Sequence, residues 1–60
     1  MENVVDINYN DNEEMMSIMH NGKCLFYGNF WDFERDPESL AEFLQKLGIT
    51  VNLSESDAEL

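Results

Sequence analysis

Apolar and polar residues alternate along the start of the chain, with Val5, Ile7 and Tyr9 separated by Asp6 and Asn8. This period of two predicts a half-buried β-strand, and Asn10-Asp11-Asn12 supplies turn residues after it. Two further apolar runs, Met15–His20 and Lys23–Tyr27, flank Asn21-Gly22. Asn-Gly between such runs predicts a two-residue hairpin, because both central positions need positive φ and these residues tolerate it best. The tight turn sets an expected register: His20 opposite Lys23, Met19 opposite Cys24, Ile18 opposite Leu25, Ser17 opposite Phe26 and Met16 opposite Tyr27.

The period changes after Arg35. Asp36-Pro37-Glu38 reads as an N-cap, a proline at the first helical position and a first-turn acid. A helix from Pro37 then places Leu40, Phe43, Leu44 and Leu47 on one stripe, with Glu42, Gln45 and Lys46 outside it and Gly48 as the residue after the C-cap. Ile49, Val51 and Leu53 alternate with Thr50 and Asn52, a strand pattern able to return to the sheet edge. The expected fold class is α+β, in the order β-β-β-α-β. A small antiparallel sheet, a three-stranded meander with room for a fourth strand, packs on one helix. Residues 1–53 form one small domain, and 54–60 read as a mobile acidic tail.

The expected register makes both faces of the sheet apolar. Met16, Ile18, Leu25 and Tyr27 point to one side, and Met15, Met19, Cys24 and Phe26 to the other. One helix covers one face, so the second set is an expected apolar or dimer interface. A bulge at Gly28 would re-aim Phe30 and Trp31. Met15, Met16 and Met19 fall in one strand, and their flexible thioethers suit either an adaptable binding surface or an irregular small core.

Charge sharpens the picture. Thirteen Asp and Glu stand against three Lys and Arg, a formal net charge of −10. Lys23, Arg35 and Lys46 are too few and too scattered for a basic patch, so direct nucleic-acid binding and an anionic membrane are not expected. The complementary partner is a protein with a basic surface. The acids fall in two clusters, Asp11, Glu13 and Glu14 in the first turn and Asp32, Glu34, Asp36 and Glu38 later, the second interleaved with Trp31 and Phe33. Carboxylates beside aromatic anchors form an expected partner-binding surface, since ring burial supplies the energy that exposed ion pairs lack.

Catalytic chemistry finds little material here. His20 is the single imidazole and Cys24 the single thiol, so no nucleophile–base–orienter set and no multi-thiolate metal cage can be assembled. Asp11–Glu14 lacks the ligand spacing and glycine of a calcium loop. No enzyme activity, metal or cofactor is expected. The chain opens Met1-Glu2-Asn3, without a basic and then apolar leader, and a lone cysteine suits a reducing compartment, so it reads as a complete, cytoplasmic reading frame. Two functions follow: a protein-binding module that occupies a basic surface of a partner, such as a nucleic-acid-binding one, and inhibits or regulates it, or a homodimeric structural or adaptor protein assembled through the apolar sheet face.

Overall fold

The computed structural model describes residues 3–56, to which the following statements refer. Four strands and one helix follow the order β1 (Val4–Asn10), β2 (Met15–His20), β3 (Lys23–Asn29), α1 (Pro37–Lys46) and β4 (Thr50–Glu55). The sheet order is β3-β2-β1-β4. The first three strands form the expected antiparallel meander. β4 lies parallel to β1, so the sheet is mixed, and the fold is α+β. Ser54 and Glu55, expected in the tail, extend β4, while 57–60 lie outside the described residues.

Strand β1 sits between β2 and β4, and its inward residues Val5, Ile7 and Tyr9 are buried. Met16 and Ile18 from β2, Phe30, and Leu40 and Ala41 from α1 close the core around them. Ile7 and Met16 are fully buried, each worth about 1.5–3 kcal/mol of transfer free energy. The helix ends as its sequence requires. Gly48 adopts φ 87°, its N–H donates to the Gln45 carbonyl at 3.0 Å, and the Ile49 N–H donates to the Leu44 carbonyl at 3.2 Å. This is a Schellman closure, with Leu44 and Ile49 both packed against the core.

The hairpin begins as expected, with Asn21 and Gly22 at φ 51° and 78° and the pairs His20–Lys23 and Met19–Cys24. The register then shifts. Ile18 lies opposite Phe26, Ser17 opposite Tyr27 and Met16 opposite Gly28, so the expected Ile18–Leu25, Ser17–Phe26 and Met16–Tyr27 pairs do not form. A bulge that inserts Leu25 is the cause, and it turns Phe26 to the helix side of the sheet. There Phe26 meets Phe33 edge-on, with ring centroids 4.6 Å apart. Its ring also lies over Gly28, where an added Cβ would come within 3.2 Å of it. Gly28 is therefore regular strand that makes room for an aromatic ring, and the bulge stands three residues before it.

The bulge also changes the opposite face. Met15, Met19 and Cys24 remain there with Tyr27, but Phe26 does not. Beside them the face is polar: Asp6, Asn8 and Ser17 lie on the inner strands and Asn52 on β4, with Asn52 Nδ2 donating to Asp6 Oδ1 at 3.0 Å. The expectation of a continuous apolar second face is thus corrected, since only its β2–β3 half is apolar.

Candidate functional site

The strand directions gather the acids. The C-terminal ends of β1, β3 and β4 and the start of β2 lie at one end of the sheet, and the segment from β3 to α1 begins there. Asp11, Glu13 and Glu14 come to this end from the β1–β2 turn. Asp32, Glu34, Asp36 and Glu38 come from the β3–α1 segment, and Glu55 from the end of β4. Lys23 at the start of β3 and Lys46 at the end of α1 lie toward the opposite end. The protein is therefore electrically polarised along its strands, acidic at one end and with two of its three Lys and Arg at the other.

Local chemistry fixes the acidic end. Asn10 Oδ1 accepts from the Glu13 N–H at 3.0 Å and folds the first turn, in which Glu14 adopts φ 55°. After β3, Asn29 Oδ1 accepts from the Trp31 N–H at 2.8 Å and starts a short 3-10 helix, Phe30–Phe33. Phe30 is buried beneath it, and its N–H donates to the Glu14 carbonyl at 3.0 Å. The Trp31 indole N–H donates to the Glu14 carboxylate, so the two acidic segments are joined directly. Glu34 closes the 3-10 helix at φ 56°, donating its N–H to the Trp31 carbonyl at 2.9 Å.

Of the acids expected to be interleaved with Trp31 and Phe33, Asp32 lies within the 3-10 helix, Glu34 caps it and Asp36 leads into α1. Both rings are exposed, Trp31 by 51%. Trp31, Phe33, Glu34, Arg35, Asp36 and Ser39 line an open hollow of about 370 Å³. Arg35, the one cation in this segment, lies over the Phe43 ring at 5.1 Å from its centroid, a cation–π arrangement.

Two titratable groups register this environment. The Tyr9 hydroxyl is held above its ordinary pKa by burial first, and then by the carboxylates of Glu55, Asp11, Glu38 and Asp36. The Ser39 hydroxyl, the largest influence, holds the Asp36 carboxyl below the usual carboxylate value against desolvation, with a smaller contribution from the Ser39 backbone amide. Asp36 nonetheless makes no side-chain capping hydrogen bond of normal geometry to α1.

A second surface was not legible as such. Helix α1 packs chiefly on β1 and β4, and beside it, where Leu25 is exposed and Phe26 only half-buried, the helix side of β3 is incompletely covered. An apolar groove of about 400 Å³ results. Its floor is Ile18, Leu25 and Phe26, its wall Leu40 and Leu44, and its two ends Phe33 and Ile49 with His20. Leu25 is 57% exposed there, and Phe43 and Leu47 on the same helix are exposed too. Phe33 lines both the groove and the acidic hollow, so the two adjoin at its ring.

The other expected interface residues lie elsewhere. Met15 and Met19 are half-buried and Cys24 exposed on the opposite face, the Cys24 thiol donating to the Phe26 carbonyl at 3.4 Å. Among the described residues, no group of three or more His, Cys, Asp or Glu is arranged to hold a metal ion, and no helix is long and apolar enough to cross a membrane. No family model matches this chain, and no curated protein and no solved structure matches it either.

Proposed function

We propose that the protein is a small acidic binding module that occupies a basic surface of a partner protein, of the kind that binds nucleic acid, and thereby inhibits or regulates it. The observation that carries this reading is the joining of the two acidic segments by the Glu14–Trp31 contact, which brings Glu14 to an exposed ring that shares a hollow with Glu34 and Asp36. Ion pairs at such a surface steer the encounter and set specificity, and the rings add the desolvated contact that exposed pairs lack. Backbone geometry supports it as well. Two of the three non-glycine residues at positive φ are Glu14 and Glu34, which both contact Trp31, and strain of this kind concentrates at functional sites. A reducing compartment such as the cytoplasm suits the exposed Cys24 thiol.

Affinity capture tests the reading, with wild-type protein and the Asp32→Lys/Glu34→Lys variant each immobilised and shown by circular dichroism to be folded. Heparin-binding proteins are the input. The wild type should retain a basic protein that the variant does not, and that duplex DNA and added salt release. Equal retention by the two, or retention insensitive to salt and DNA, would sink it.

A further inference from the structure

The groove beside α1 and the acidic hollow adjoin at Phe33, and their shapes and charges select an occupant. Strands lie about 4.8 Å apart and a helix with its side chains is about 10 Å across, so one helix covers about two strands. Helix α1 packs mainly over β1 and β4. On β2 and β3 the Met16 end is closed into the core, and the other end, around Ile18, Leu25 and Phe26, is left as a groove that can take the apolar side chains of one more helix. The groove has an apolar floor at Ile18, Leu25 and Phe26 and an apolar wall at Leu40 and Leu44. On the far side of Phe33 lies the hollow lined by Glu34 and Asp36.

A second copy fits this groove poorly. From α1 and its C-cap it could offer only Phe43 and Leu47 as exposed apolar residues, set among Glu38, Glu42, Gln45 and Lys46, and two chains of net charge −10 repel one another. A cationic segment meets no such repulsion.

We infer that this groove docks an amphipathic helix of the partner protein, its apolar stripe on the β2–β3 floor and its Lys or Arg residues over the Glu34–Asp36 end. This rests on the acidic-module reading and deepens it by naming what the partner presents. Recognition is of the helix-in-groove kind, with apolar anchors giving affinity and charge giving direction along the groove. Leu25, Phe43 and Leu47, exposed in the free protein, become covered on binding.

The probe is a synthetic helix of Leu, Ala and Lys, about twelve residues long so that its roughly 18 Å spans the roughly 15 Å of α1, with its leucines on one face. A shuffled peptide of the same composition is the control. Trp31, the only tryptophan, reports binding through its emission. The amphipathic peptide should bind at least about tenfold more tightly than the shuffled one, a difference of about 1.4 kcal/mol. Leu25→Asp and Leu47→Asp, both at exposed positions and each checked by circular dichroism to be folded, should each remove most of that advantage, and Met19→Asp on the opposite face should leave it intact.

Equal binding of the two peptides overturns the inference while leaving the acidic reading standing, because the acids then attract any polycation. Loss of binding in Asp32→Lys/Glu34→Lys with no effect of Leu25→Asp or Leu47→Asp has the same meaning. Tight binding of the amphipathic peptide that survives the charge reversal overturns both. A dimer in sedimentation equilibrium that the peptide does not dissociate, but Leu47→Asp does, shows a second copy in the groove and overturns the inference.

Discussion

Trp31 donates its indole N–H to the Glu14 carboxylate across seventeen positions of sequence. The contact ties the β1–β2 turn to the segment that leaves β3, and a backbone bond from the Phe30 N–H to the Glu14 carbonyl lies beside it. Glu14→Ala removes the acceptor without touching the core. We expect a loss of about 0.5–1.5 kcal/mol in urea denaturation, toward the lower end because the pair is exposed, and a red shift of Trp31 emission as the freed ring meets more water. Glu14→Gln, which keeps an acceptor oxygen, should restore most of both.

Tyr9 should be hard to ionise. In the folded protein its pKa is raised above the ordinary value near 10, by burial and by four nearby carboxylates. A group that holds its proton more firmly when folded contributes stability that is complete below the unfolded pKa and disappears as pH rises through the folded one. Stability should therefore hold steady to about pH 10 and fall above it. Urea titrations at several alkaline pH values check this. Tyr9→Phe should flatten the fall, and a slope unchanged by that substitution would place its origin in another group.

Asp36 has the opposite sign. The Ser39 hydroxyl lowers its pKa from the ordinary 3.8, so the contribution is present above that value and is lost as pH falls through the lower folded one. Carbon-13 titration of the carboxyl should show the depressed value in the wild type and a return toward 3.8 in Ser39→Ala.

Glu34 sits at φ 56°, in the left-handed region, where a side chain costs roughly 1 kcal/mol and glycine does not. Glu34→Gly should raise thermal stability modestly, by up to about 1 kcal/mol, while weakening partner binding. A variant both more stable and fully active in binding would remove Glu34 from the proposed surface.

Met16 is fully buried against β1 and the helix side of the sheet. Met16→Ala should cost about 2–5 kcal/mol, a large part of what a chain of sixty residues has, so a broadened or absent urea transition is the expected result.

Elements whose signals are local were legible in the sequence. Asn21-Gly22 gave the turn because both residues must take positive φ, and Pro37 and Gly48 marked the two sides of α1 because one lacks an N–H and the other tolerates the closing conformation. The bulge at Leu25 carries no such mark. It exists because Phe26 gains Phe33 and the space over Gly28 by turning inward, a tertiary benefit invisible to spacing. The same slip misplaced the bare surface, which lies beside the helix rather than wholly behind the sheet. Both acidic clusters could be seen, but their meeting could not, because it depends on strand directions and on Glu14 reaching Trp31. The parallel placement of β4 likewise follows from the sheet as a whole.

That placement has a consequence for how the chain is made. The second neighbour of β1 is the last strand, and Val4 waits for Thr50 as Tyr9 waits for Glu55. A ribosome releases β1 long before β4, so Ile7, at the centre of the finished core, spends synthesis with one side of its strand unpaired. The protein closes only once residue 55 is free, which makes the interval between the first strand and the last the time of greatest exposure to proteases and to aggregation.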